Sequence, residues 1–146
     1  MMKKQMFRAV IVLFLTSLKL SVFAQVTADP VFPKESDKVV FTFNAAEGNK
    51  GLMGETGEVY AHSGIITDKS TSDNDWKYVK FPWTTNDPSM LLTRVRTDVY
   101  TLTIDNIRSF YGVPAGDKIR KISFVFRNAT RTKEGKATGN ADIFMP

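Results

Sequence analysis

The sequence predicts an all-β protein, either an antiparallel β-sandwich or a barrel. From residue 25 onward the chain has no long stretch with apolar residues at the helical period. Instead, short apolar runs are interrupted at close spacing by Gly, Pro, Asn, Asp and Ser. This pattern is typical of short strands that are joined by tight turns.

Seven strands are predicted in chain order. The apolar and β-branched runs that are bounded by turn-forming residues are 38–44, 58–66, 76–81, 91–96, 99–104, 119–127 and 142–145. Only Thr97 and Asp98 separate the fourth run from the fifth. Two polar residues between strand patterns predict a hairpin there, although the usual turn glycine is missing.

One short helical turn is predicted within "DNIRSFYGVP". Asp105 or Asn106 can cap its N-terminus, and the apolar residues that follow fall on one face. Gly112 can end the turn in the left-handed region, and Pro114 prevents the helix from resuming.

The first 24 residues predict a secretory signal peptide. Basic residues precede an apolar run over residues 9–20, and Val22 and Ala24 are the small residues of a cleavage site. A membrane-spanning helix is disfavoured because the run is shorter than the roughly 20 residues that a bilayer requires. We therefore expect a single domain over residues 25–146 that is secreted, periplasmic or at the cell surface, without membrane contact after cleavage.

Composition excludes several classes of function. The leader holds four of the 20 basic residues and none of the 15 acidic ones, so the remaining chain has a net charge of only +1. That balance gives no reason to expect nucleic acid as a partner. The chain has no cysteine and one histidine, which excludes thiol catalysis, cysteine zinc sites and multi-histidine metal sites. No cofactor is predicted.

Strand alternation suggests a candidate binding face in the second strand. Its more apolar alternate residues are Val59, Ala61, Ser63 and Ile65. If these face the core, Tyr60 and His62 face outward together. The alternative reading is that Tyr60 is itself a large core residue.

Strand alternation also orients the side chains of the third predicted strand. It places Val79 and Phe81 inside, and Trp76 and Tyr78 outside. A Trp at the start of a strand can also pack beneath a loop, which is the alternative for Trp76. Trp83 follows a proline and is assigned to packing.

An independent catalytic site is not predicted, so we expect the protein not to be an enzyme. "HSG" lacks the strand-to-helix turn that presents a catalytic serine. Asp68, Asp73 and Asp75 lie in a polar loop, where carboxylates usually make local hydrogen bonds, and they lack the regular ligand spacing of a calcium loop.

Five segments, taken in order, resemble a known family. "KVVFTFNAAEGNKGLMG", "GEVYAHSGIIT", "WKYVKFPW", "IRSFYGVP" and "KISFVFRN" with "TGNADIF" are similar to the N-terminal carbohydrate-binding-type β-sandwich of secreted bacterial α-amylase-family proteins. That module is in turn similar to starch-binding modules of carbohydrate-binding families 25 and 26. The resemblance implies an immunoglobulin-like sandwich in which Tyr60, His62 and Trp76 bind α-glucan polysaccharide or maltooligosaccharide. Strand alternation adds Tyr78 to this predicted site, because it places Tyr78 on the same side.

The resemblance has two further implications. A separate amylase-type enzyme is an expected associate of the protein. The family's Trp-Asp-Asn cluster near the end of the domain is missing here, so Asn128, Asn140 and Asp142 are not predicted as ligand contacts. The alternative function is an immunoglobulin-like spacer or protein-interaction domain that keeps the fold without a sugar site.

Overall fold

The computed structural model describes residues 24–146. The predicted signal peptide therefore lies outside the described residues, apart from Ala24. The described chain forms eight strands: β1 (Val26–Asp29), β2 (Val39–Asn44), β3 (Val59–Thr67), β4 (Thr93–Arg96), β5 (Val99–Ile104), β6 (Ile119–Asn128), β7 (Glu134–Gly135) and β8 (Ile143–Met145). One α-helical turn, α1 (Ile107–Tyr111), and two short 3₁₀ turns, Pro88–Met90 and Thr138–Asn140, complete it.

The strands form two antiparallel sheets, which confirms the predicted all-β sandwich. Sheet A has the order β1-β2-β5-β4. In sheet B, β6 lies beside β3 on one side and beside both β7 and β8 on the other. No helix in residues 24–146 is long and apolar enough to span a membrane.

The core lies between the sheets and is built on phenylalanine pairs. Phe43 of sheet A stacks on Phe126 of sheet B with ring centroids 4.0 Å apart. Phe41 and Phe124 meet at 5.2 Å. All four rings are buried, because alternate residues of β2 and β6 face the opposite sheet.

The predicted helical turn and hairpin are confirmed. The Asn106 side chain accepts a hydrogen bond from the backbone N–H of Ser109, and Gly112 ends α1 in the left-handed region. Between β4 and β5, Asp98 adopts φ 60°. Its carboxylate accepts a hydrogen bond from the backbone N–H of Gly54, so this aspartate replaces the usual turn glycine.

The prediction of a strand over residues 76–81 is wrong. This segment instead runs along the free edge of β3, where Lys77 and Ile65 exchange two backbone hydrogen bonds of 2.7 Å. The backbone N–H of Lys80 then donates to the Ser63 carbonyl. Tyr78 has φ 52°, which breaks the strand geometry and with it the alternation of side chains. The short strands β1 and β7 are additions that the apolar runs did not predict.

Candidate functional site

The outer face of sheet B carries the candidate site. Strand register places the outward residues of β3 and β6 in pairs: Tyr60 with Arg127, His62 with Val125, and Gly64 with Ser123. The predicted inward set of β3, which is Val59, Ala61, Ser63 and Ile65, is fully buried against the core. Alternation therefore assigned the two faces of β3 correctly.

Tyr60 lies on the outer face but is not available to a ligand. Only 6% of the residue is exposed. The Arg127 guanidinium covers its ring at 5.4 Å from the centroid, and its hydroxyl donates to Glu58 at 2.8 Å. That hydrogen bond, together with burial, raises the pKa of Tyr60. The prediction that Tyr60 faces solvent is wrong, because a residue of the neighbouring strand covers it.

His62 and Trp76 come together as predicted. Their ring planes differ by 27° and their centroids lie 5.7 Å apart, and both residues are partly exposed. Their centroid separation exceeds the roughly 3.5–4.0 Å between stacked carbons in full contact, so the two rings overlap only in part. Gly64 makes room for the segment that carries Trp76, since a Cβ at that position would lie 3.1 Å from the Lys77 carbonyl oxygen and 3.1 Å from a Val79 methyl.

Tyr78 does not join this pair, so its prediction as an outward neighbour is wrong. Its ring packs against the core, and its hydroxyl donates to the buried Asp117 carboxylate at 2.5 Å. Lys69 also donates to Asp117, and these two hydrogen bonds lower the pKa of that carboxyl. Val79, which was predicted to be inside, is instead 41% exposed, because the left-handed backbone at Tyr78 reverses the alternation.

Trp83 has the packing role that the sequence predicted for it, and one of its partners is His62. Its ring meets His62 edge to face, with centroids 5.1 Å apart and planes at 86°. The Arg127 guanidinium also lies over the Trp83 ring, 5.5 Å from its centroid. Pro82 and the turn that follows break any strand alternation, so no pattern in the sequence indicated this contact. We name the three rings His62, Trp76 and Trp83 the Trp–His cluster.

A shallow depression of about 240 Å³ opens beside the Trp–His cluster. Its lining is His62, Trp76, Asn74, Val125 and Asp142. The volume is below the roughly 300–1,000 Å³ of enclosed small-molecule pockets, so the depression suits a single flat ring at the surface. Asn74 and Asp142 place an amide and a carboxylate at its edge, and neither was predicted as a contact.

Burial favours the neutral form of the His62 imidazole. Burial lowers its pKa below the usual 6.5, and the positive charge of Arg127 lowers it further, while Asp142 acts in the opposite direction. A neutral imidazole has one N–H donor and one acceptor nitrogen. It can therefore exchange hydrogen bonds with a hydroxyl group in either direction.

The carboxylates of the polar loop before Trp76 each have a hydrogen-bond or ion-pair partner. Asp68 accepts from the backbone N–H of Lys118, Asp73 binds Lys121, and Asp75 binds Lys77. Within the described residues there is no group of three or more acidic or histidine side chains placed to hold a metal ion. These contacts hold the loop in place beside the depression.

Comparison with known proteins does not assign the chain to a family. No protein-family model matches it, and no curated protein matches it. The resemblance to starch-binding modules therefore stays a prediction from the motifs.

Proposed function

We propose that this protein binds a neutral glycan at the Trp–His cluster without breaking it down, and that the glycan is a starch-like α-glucan or maltooligosaccharide outside the cytoplasm. The observation that carries the proposal is the depression in which Trp76 and His62 lie beside Asn74 and Asp142. Sugar rings have apolar C–H faces and hydroxyl rims. They are bound well by a flat aromatic face with hydrogen-bonding groups at its edge. The α-linkage is inferred from the motif resemblance alone.

Charge pairing around the depression favours an uncharged ligand. Asp142 lines the depression, and two further carboxylates flank Asn74 in the chain. Each of the three binds a lysine: Asp73 with Lys121, Asp75 with Lys77, and Asp142 with Lys136. The pair distances are 2.8, 2.8 and 3.2 Å. Each of these carboxylates is already paired, and Arg127, which donates to neutral oxygens, is buried with only 2% of the residue exposed, so the charges around the depression give an ionic ligand little attraction.

The size of the aromatic surface limits the affinity. Covering about 100 Å² of one ring contributes about 2.5 kcal/mol before ordering costs are subtracted. A site of one exposed indole, an imidazole and two polar groups therefore predicts a Kd in the roughly micromolar to millimolar range. Tethering at that affinity depends on a polymeric ligand or on several linked copies.

Isothermal titration tests the proposal. We expect heat of binding with maltoheptaose for the wild-type protein, and a loss of at least about tenfold in affinity for Trp76→Ala. Tyr78→Phe is the matched control, since Tyr78 lies away from the depression, and its Kd should equal that of the wild type. Cellohexaose tests the linkage, and stronger binding of this β-linked sugar would contradict the α-glucan assignment. If neither sugar binds, the proposed function is wrong and a spacer or protein-interaction role is favoured.

A further inference from the structure

Phe144 lies on the same outer face as the Trp–His cluster. In β8, Ile143 faces the core and Phe144 faces the other way, where it remains partly exposed. Strand register pairs Phe144 with Ser123, and Ser123 in turn with Gly64, directly beneath Trp76. Gly64 and Phe144 thus lie two strand spacings apart, about 9–10 Å across the sheet, and Trp76 belongs to the segment along the free edge of β3, on the side away from β8.

A lysine lies over one face of the Phe144 ring. The Lys121 ammonium lies 5.3 Å from the ring centroid. Both oxygens of Asp73 accept hydrogen bonds from that ammonium at 2.8 Å, which holds the lysine in one position. Asp73 is adjacent to Asn74, so one loop supplies polar groups both to the depression and to the ion pair beside Phe144.

We propose that Phe144, with Lys121 and Asp73, is a second sugar subsite, and that the ligand is a chain that spans both aromatic residues rather than a terminal sugar unit. This inference rests on the proposed function. The part of the ring that Lys121 leaves uncovered offers apolar surface, and the ammonium and carboxylate beside it offer a donor and an acceptor for sugar hydroxyls. The separation across the sheet exceeds the width of one ring, so a short sugar reaches only the depression while a longer one covers Phe144 as well.

The test compares a short and a long ligand, maltose and maltoheptaose, by isothermal titration. In the wild type we expect maltoheptaose to bind roughly tenfold more tightly than maltose. Phe144→Ala should remove that advantage and leave the Kd for maltose unchanged. Phe144→Leu, which keeps an apolar side chain in β8, should have the same effect and separates loss of the ring from loss of folding. Phe32→Ala is the matched control, because Phe32 is 91% exposed in another part of the chain, and neither Kd should change.

The outcomes separate this inference from the proposed function. If the wild type binds maltoheptaose and Phe144→Leu binds it equally well, the second subsite does not exist although the first one does. If the Phe144 variants weaken both sugars equally, Phe144 supports the fold of the depression and is not a subsite. If the wild type binds neither sugar, the proposed function and this inference are both wrong.

Discussion

Gly64→Val tests whether Trp76 is positioned by the edge of β3. A Cβ built at Gly64 points to the outer face of that strand, toward the 76–80 segment that runs along its edge. An added Cβ would lie 3.1 Å from the Lys77 carbonyl oxygen, 3.1 Å from a Val79 methyl and 3.4 Å from the Trp76 Cβ. A valine adds two further methyl groups in the same direction, so the segment has to move or the strand has to deform.

The cost can be bounded from two sides. Overpacking of this kind costs about 1–3 kcal/mol when the structure absorbs it. If the segment lifts instead, it loses the two backbone hydrogen bonds between Lys77 and Ile65, at about 1 kcal/mol each. Replacing a glycine gains about 0.4–1 kcal/mol, because the unfolded chain has less freedom to lose. The free energy of unfolding should therefore fall by about 1–2 kcal/mol.

Urea unfolding measures the effect, with Gly116→Val as the matched control. A Cβ at Gly116 meets no atom within 4 Å, so that variant should stay within about 0.5 kcal/mol of the wild type. At a slope of about 1–3 kcal/mol/M, Gly64→Val should lower the midpoint by about 0.3–2 M. Equal midpoints for the two variants would refute the packing of the 76–80 segment against β3.

Three further predictions concern His62, the Ser63–Tyr111 hydrogen bond and Gly135. Because the folded state lowers the pKa of His62, the unfolded state takes up this proton first as the pH falls below 6.5. Stability should therefore decrease on acidification through that range, and a His62→Gln variant with an unchanged pH slope in urea unfolding would contradict this. The Ser63 hydroxyl donates to a backbone carbonyl, so the Tyr111 hydroxyl is the donor in their 2.6 Å hydrogen bond. Tyr111→Phe should cost about 1 kcal/mol and Ser63→Ala more, because the latter leaves a buried hydroxyl unpaired, and calorimetry showing the reverse order would disprove the assignment. Gly135→Ala should cost about 1–3 kcal/mol in thermal unfolding, since its Cβ would lie 2.6 Å from the Phe43 ring, and an unchanged melting temperature would count against this packing.

Strand alternation predicted the two faces of β3 because one of them packs on the opposite sheet. Every residue of the inward set is buried, as a period of two requires. Alternation could not predict what covers the other face. Tyr60 is buried by Arg127, which is far away in the chain and becomes its neighbour only through the pairing of β3 with β6.

The 76–81 segment shows a second limit of pattern reasoning. "WKYVKF" alternates like a strand, yet the structure turns the backbone at Tyr78 into the left-handed region. The hydrogen bond from Tyr78 to Asp117 accompanies this turn, and its two partners are 39 residues apart. A contact that is so distant in sequence leaves no local pattern, and it removes Tyr78 from the face that alternation had assigned to it.

Arg127 explains why the two tryptophans have different roles. Its guanidinium is buried, with 2% of the residue exposed, and it contacts the rings of both Tyr60 and Trp83. Its hydrogen-bond acceptors within residues 24–146 are the neutral oxygens of Thr85, Asn86 and Asn128. The charge is thus held by aromatic faces and carbonyl groups, and moving either ring away would leave it less compensated. Trp83 therefore packs between Arg127 and His62, whereas Trp76 lines the depression and has no cation–π contact with Arg127.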